Sequence, residues 1–258
     1  MPGQFVVYWL GYATALPALN TLPAGIDVIN LFVLNLTTGS SGTTLDTSFI
    51  SSGGQSWATT LSQAQVARAN GVKVCASIIP PKGGLTWNTI PDPTTFASNV
   101  QQLIDTWQLD GIDIDPEQGA LNPPGGNFTA VMTALGQYFG PQSGTGQRMS
   151  YASFDYSFDQ PFLSQNAALF DDITLMGYTW TYQQMLVQFQ MYSSLVPSQN
   201  LLFGIDPTKT PQQESIELAK WQPTSGSKGG MMEFNINGDT DFATAQAILA
   251  GMGGSARG

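Results

Sequence analysis

The stretch Leu109-Asp110-Gly111-Ile112-Asp113-Ile114-Asp115-Pro116-Glu117 sets four carboxylates within eight residues of an otherwise apolar run, in a chain of which only 10% is charged. Strands of a parallel sheet, covered on both faces, normally read as near-continuous Val, Ile and Leu. With a side-chain period of two, Asp113, Asp115 and Glu117 share one face, and Ile112 and Ile114 share the other. Successive members of the acidic row lie roughly 6.6 Å apart along a strand. Like charges at that spacing, partly withdrawn from water, disfavour joint ionisation and raise at least one pKa, which is how a carboxylic acid stays protonated near neutral pH. Pro116 has no N–H to give to a ladder, so pairing should end there, with Glu117 on the strand's C-terminal rim and the aspartates deeper. A solvated edge strand or an oxygen-rich metal loop are the plainer readings of the same residues.

Working outward, apolar runs of strand length alternate with segments of helical period, the pattern of repeated βα units around a parallel sheet. Strands are predicted at 5–10, 28–36, 72–79, 111–115, 149–153, 173–178, 201–205 and 231–236. Helices are predicted at 61–69, 95–107, 128–139, 182–195, 212–221 and 241–252. Pro17, Pro23 and Gly25 leave little room for a helix between the first two strands. The expectation is therefore an α/β chain, one domain over residues 1–258 built of βα units around a parallel sheet, with an irregular first unit. Three long connections, 37–56, 80–93 and 118–127, all follow strands. In a closed barrel they gather at the C-terminal face, the same end as the acidic rim.

Composition narrows the chemistry. There is no histidine, which removes Ser-His-Asp and Cys-His nucleophile systems and His-Glu-x-x-His zinc sites. The one cysteine, Cys75, lies in an apolar run and reads as a small core residue; an intrachain disulfide is impossible. A net charge of −10 disfavours nucleic acid and anionic membranes as partners and favours a neutral substrate. No 18-residue apolar segment is present. A surface rich in Ser, Thr, Asn, Gln and Gly suits an exported protein whose signal has been removed, and a monomer without cofactor or metal is expected. Asn35-Leu36-Thr37 and Asn127-Phe128-Thr129 match the N-glycosylation acceptor pattern.

The run Asp110 to Glu117 resembles the D-x-x-D-x-D-x-E signature of glycoside hydrolase family 18, the family of chitinases and endo-β-N-acetylglucosaminidases. Val72 to Ser77 is similar to the family's third strand, Met176-Gly177-Tyr178 to its sixth-strand Met-x-Tyr, and Gly229-Gly230-Met231-Met232 to its last strand. The resemblance implies a single (β/α)8 TIM barrel as one catalytic domain, and a retaining hydrolase that cleaves β-1,4 linkages at N-acetylglucosamine, in chitin oligosaccharides or in the chitobiose core of N-glycans. It implies that Glu117 is the acid/base and that Asp115 holds the substrate acetamide, whose oxygen is the nucleophile. Asp113 would share a proton with Asp115, and Tyr178 would bond the acetamide. Asp110 would be a structural anchor. The sequence departs from chitinases where Glu233-Phe234-Asn235 replaces Phe-Trp-Ser, and Phe234 to Asp239 looks closer to the endings of small bacterial endo-β-N-acetylglucosaminidases.

Further substrate contacts are expected from Tyr8, Trp9, Trp87, Trp180, Phe234 and Glu233. The tryptophans fall at or just beyond strands, where their faces could stack on sugars; Asp155 and Asp206 also follow strands and could reach the barrel mouth. Two other readings compete with the hydrolase. A catalytically silent chitinase-like carbohydrate-binding or inhibitor protein would have lost the acid or its neighbours, whereas Glu117, Asp115 and Tyr178 are present. A metal-dependent hydrolase would need strand carboxylates several ångströms apart to converge on one cation.

Overall fold

The computed structural model describes residues 3–82, 84–117, 126–153 and 155–253. Its strands are β1 (Gln4–Leu10), β2 (Val28–Gly39), β3 (Gly42–Asp46), β4 (Lys73–Ile79), β5 (Gly111–Ile114), β6 (Arg148–Ser153), β7 (Asp172–Met176), β8 (Leu201–Ile205) and β9 (Gly230–Glu233). The sheet order β1-β9-β8-β7-β6-β5-β4-β2, with β1 also paired to β2, closes eight parallel strands into a barrel. The expected (β/α)8 architecture is thus present.

Among the described residues seven α-helices wrap it: α1 (Trp57–Ala69), α2 (Pro93–Trp107), α3 (Gly126–Leu135), α4 (Tyr156–Asn166), α5 (Tyr182–Tyr192), α6 (Gln212–Lys220) and α7 (Ala243–Gly251). Local chemistry starts several of them. Ser56 accepts from Thr59 N at the head of α1, Asp92 accepts from Thr94 N and Thr95 N with Pro93 opening α2, and Thr181 and Gln184 form a reciprocal capping box on α5. Between β1 and β2 there is only a single 3-10 turn, Leu19–Thr21, as the prolines require.

Alternation along the strands builds two cores. From β1, Phe5, Val7 and Trp9 point outward to the helices, while Val6, Tyr8 and Leu10 point into the barrel beside Val28, Phe32, Cys75, Leu202 and Met232. On β5, Ile112 and Ile114 join the outer layer, which leaves Asp113 facing inward.

Two elements depart from expectation. The tract 37–56, expected as loop, contains a hairpin: β2 runs on to Gly39, turns over Ser40 and Ser41, and pairs antiparallel with β3 from Gly39↔Gly42 to Asn35↔Asp46. Two residues between glycines flanked by β-branched threonines is hairpin chemistry that the Gly/Ser/Thr composition disguised. Asn99 on α2 seats this hairpin, its Nδ2 donating to Ser41 O and Thr43 O at 3.2 and 2.9 Å. The other departure is α4, which has Pro161 inside it and little apolar periodicity. It is held by its caps and by Asp159, a buried carboxylate that accepts from Tyr151 Oη (2.6 Å), Ser153 Oγ (2.9 Å) and Tyr192 Oη (2.7 Å), tying α4 to β6 and α5. The third long connection, 118–127, lies outside the described residues up to 125.

Candidate active site

Asp110 sits just before β5 and is a structural anchor. Its carboxylate takes a bidentate pair of bonds from Arg68 (2.7 and 3.0 Å), a bond from Val74 N at 2.9 Å and the charge of Lys73 at 3.6 Å. Those donors hold its pKa below the ordinary range although burial opposes them. The next residue, Gly111, adopts φ +149°, and a Cβ there would lie 2.2 Å from Arg148 O. Only glycine lets β5 meet β6 at that point.

Asp113 occupies the barrel interior. Its Oδ2 accepts from Tyr8 Oη at 2.8 Å and Ser77 Oγ at 2.7 Å, and its Oδ1 accepts from Ser150 Oγ at 2.6 Å. Burial pushes its pKa up, while the three hydroxyls pull the other way by stabilising the anion. Asp115 is placed differently. It is buried, among the described residues its Oδ1 accepts only from Glu117 N at 3.0 Å, and it lies in the field of Glu117 and Asp113. Burial first, then those neighbouring charges, push its pKa well above the usual carboxylate range. Of the two aspartates, Asp115 is the one built to hold a proton.

Pairing ends where proline demands: Asp115 N still donates to Ile78 O at 3.0 Å, and Pro116 follows. Glu117 stands half-buried beyond it, its pKa raised by burial. The strand therefore grades from a hydroxyl-clamped aspartate, through an aspartate with few donors, to a half-exposed glutamic acid at the rim. Tyr178 stands near this row, close enough that Asp115 and Glu117 help push its phenol pKa well up, after burial. Its ring stacks on Phe234 with centroids 5.1 Å apart and planes inclined by 22°. Phe234 in turn packs edge-on against Phe32 at 5.4 Å and tilts against Tyr8 at 5.9 Å.

Three of the expected substrate contacts, Trp9, Trp87 and Glu233, are buried outside the barrel interior, and a fourth, Tyr8, stands within it beside Asp113. Trp9 is fully buried in the outer layer with its Nε1 donating to Pro17 O at 2.9 Å. Trp87 is also fully buried, edge-on to Phe96 and Phe128, and donates from Nε1 to the Asp115 carbonyl at 3.0 Å, so it braces the acidic strand from behind. Tyr8 has its hydroxyl committed to Asp113. Glu233 is wholly buried at the end of β9, with no donor to either oxygen; burial and the nearby Asp239 push its carboxyl up to about 9. It therefore stays a neutral acid near pH 7. The parity rule put these side chains at the right height on their strands but did not tell inward from outward on β1, nor reveal the bond that Trp87 makes. Trp180 is half-buried beside the outer layer, and Phe234 is half-buried at the mouth.

Asp155 caps α4 through Ser157 N, and Asp206 accepts from Thr208 and pairs with Lys209 at 3.1 Å, so both are engaged within their own loops. Asn127, a candidate glycosylation acceptor, spends its amide on the carbonyls of Asn88 (2.9 Å) and Ile90 (2.8 Å), clasping the loop before α2. Ser150 was not anticipated. Its signal was available, because a serine on the inward face of a strand next to a buried aspartate has few other uses.

A cavity of about 820 Å³ opens at the opposite, N-terminal end of the barrel, lined by residues that include Gln4, Asp27, Lys73 and Arg148. None of Asp113, Asp115 or Glu117 lines it, so the chemistry belongs to the C-terminal face. Among the described residues no group of three or more carboxylates, cysteines or histidines converges as a metal cage, and no helix is long and apolar enough to cross a membrane.

A closed (β/α)8 barrel with a carboxylate row on the inward face of one strand, its last acid on the C-terminal rim, defines the class of barrel glycosidases. The chain belongs to the family of the endo-β-N-acetylglucosaminidase EndoS TIM-barrel domain, which it matches over residues 13–233, within glycoside hydrolase family 18. It is 26% identical over 174 residues to endo-β-N-acetylglucosaminidase F2 of Elizabethkingia meningoseptica, a match covering 60% of this chain and 51% of that protein. The chain thus spans about half the length of that relative. Among solved structures, an endo-β-N-acetylglucosaminidase from Cordyceps militaris superposes with TM-score 0.73 at 22% identity, covering 98% of this chain and 91% of that one. A putative chitinase A from Streptomyces coelicolor superposes with TM-score 0.80 at 16% identity, covering 97% and 98%. These two likenesses concern the fold.

Proposed function

We propose that this chain hydrolyses β-1,4 linkages at N-acetylglucosamine with retention, by substrate-assisted catalysis, and that the chitobiose core of N-glycans is its preferred substrate. The observation that carries the reading is the graded carboxylate row. Glu117, half-buried with a raised pKa, protonates the glycosidic oxygen as the bond to C1 breaks. The acetamide oxygen of the same sugar closes on C1, and the proton on its nitrogen is held by Asp115. The deprotonated Glu117 then takes a proton from the water that reopens the ring to the retained product. Asp113 and Asp115 share one proton: it sits on Asp115 in the free protein and passes to Asp113 as the acetamide arrives, which leaves Asp115 anionic to accept the N–H bond. Tyr178 offers its hydroxyl, which has no partner among the described residues, to the acetamide.

The preference for the N-glycan core over chitin is supported by the family match and by the curated relative, both endo-β-N-acetylglucosaminidases. Phe234, a smaller platform than tryptophan, stands at the mouth. Mass spectrometry of products from chitin oligomers and from a high-mannose glycopeptide, run in parallel, tests the proposal. The expected result is a peptide left with one N-acetylglucosamine and slower or no cleavage of chitin. The reverse order would make the chain a chitinase, and no cleavage of either would leave a silent binding protein.

A further inference from the structure

Phe49 is the only exposed aromatic residue among those described, 43% accessible in a chain that otherwise hides or half-hides its rings. It does not stand alone. Its ring packs on Tyr12 with centroids 4.9 Å apart, Tyr12 packs on Phe32 at 6.2 Å, and Phe32 packs on Phe234 at 5.4 Å, beside Tyr178 and the acidic row. An unbroken line of rings therefore leads from the carboxylates to the rim of the C-terminal face.

The two loops that carry its outer end are locked together. Gly53 N donates to Gly11 O at 3.2 Å, and Gly11 N donates to Phe32 O at 3.0 Å. A Cβ on Gly11 would lie 2.1 Å from Ile50 O, so the loops touch at a point where only glycine fits. Asn237, beyond β9, fastens the same rim: its Oδ1 accepts from Leu10 N at 2.7 Å, and its Nδ2 donates to Ala15 O at 2.7 Å. Phe49 is thus exposed at the rim while its ring packs on Tyr12, on loops fastened by backbone bonds.

We propose that Tyr12 and Phe49 form a second stacking platform that holds a neutral pyranose ring of the glycan, distal to the residue being cleaved, and so set the preference for longer substrates. The inference rests on the glycosidase reading above, which fixes the occupant as sugar. The platform lies two ring-to-ring steps from Phe234, so the sugar it holds is not the reacting one. Sugar C–H faces stack on aromatic rings without needing charge, which suits a pair of uncharged rings, one of them exposed.

The test uses Glu117→Gln, which is expected to bind without turnover, with and without Phe49→Ala. Calorimetry measures affinity for chitin oligomers of two to six residues and for a high-mannose glycopeptide. Phe49 is exposed, so its truncation leaves the core intact, and Phe49→Trp serves as the conservative variant. The expected result is a roughly tenfold loss of affinity for the longer ligands, none for the disaccharide, and recovery with tryptophan. Unchanged affinity for all ligands, an equal loss at every length, or no binding to Glu117→Gln overturns the platform. In the otherwise wild-type chain, Phe49→Ala should raise KM for the longer substrate and leave kcat in place. Absence of turnover by the wild type on either substrate class overturns the glycosidase reading, separately from the length dependence of binding.

Discussion

Glu233 offers a quantitative test of the electrostatics behind the site. Its carboxyl is wholly buried with no hydrogen-bond partner, and its pKa is raised from 4.5 to about 9, first by burial and then by the charge of Asp239. In the unfolded chain this proton is lost near 4.5; in the native protein it is kept until about 9. Between those values the native state binds a proton that the unfolded state has released. This group's contribution is therefore fully favourable below about 4.5, declines as pH rises, and levels off above about 9. At ~1.4 kcal/mol per pH unit, the loss by pH 7 is about 3 kcal/mol. Glu233→Gln removes the titration and keeps the size of the side chain. Urea unfolding of wild type and variant, followed by tryptophan fluorescence between pH 5 and pH 8, should give curves that nearly coincide at the acid end. They should separate progressively, with the variant more stable by about 3 kcal/mol at pH 7. A difference between the two proteins that does not change with pH would refute the reasoning, because it would mean that the buried carboxyl is not held neutral.

The active-site row yields three more expectations. Glu117→Gln should lower kcat by roughly 10²–10⁴-fold while oligosaccharide binding persists; because burial raises the Glu117 pKa, the descending limb of the wild-type kcat–pH profile should lie above the ordinary glutamate value of about 4.3. Tyr8→Phe removes one of three hydroxyls from Asp113, so kcat should fall about tenfold with KM little changed. The acid limb should move to higher pH, and an unmoved limb would deny Tyr8 a positioning role. Asp110→Asn breaks the bidentate bond with Arg68 and should cost about 1–3 kcal/mol in urea unfolding. It should leave kcat in place, since Asp110 lies at the far end of the strand from Glu117.

Much of the architecture was legible because it rests on period and punctuation. The alternation of β5 predicted which carboxylates share a face, and Pro116 predicted where pairing stops; both follow from backbone geometry alone. The ends of all eight barrel strands moved by no more than three residues, and β2 is longer because it continues into a hairpin. Helix α4 was not legible, because its stability comes from Asp159 and three hydroxyls on other elements rather than from an apolar stripe. Trp9 and Trp87 show the same limit. A tryptophan beside a strand end reads alike whether it faces the cleft or the helices, and only the bonds to Pro17 O and Asp115 O decide. Ser77 and Ser150 carry no charge or bulk to mark them, yet they account for two of the three bonds to Asp113.

The appended hairpin has a consequence for the molecule's dealings with its own kind. Closing eight strands into a barrel leaves no free strand border, whereas β3, paired only to β2, brings one back. With Gly39 opposite Gly42 at the turn, Thr43 turns its carbonyl away from β2, toward the open side. That carbonyl and the one at Ser41 are the two that Asn99 occupies. One amide thus acts as a stopper on the only border strand among those described, and a neighbouring copy finds two of its docking points already taken.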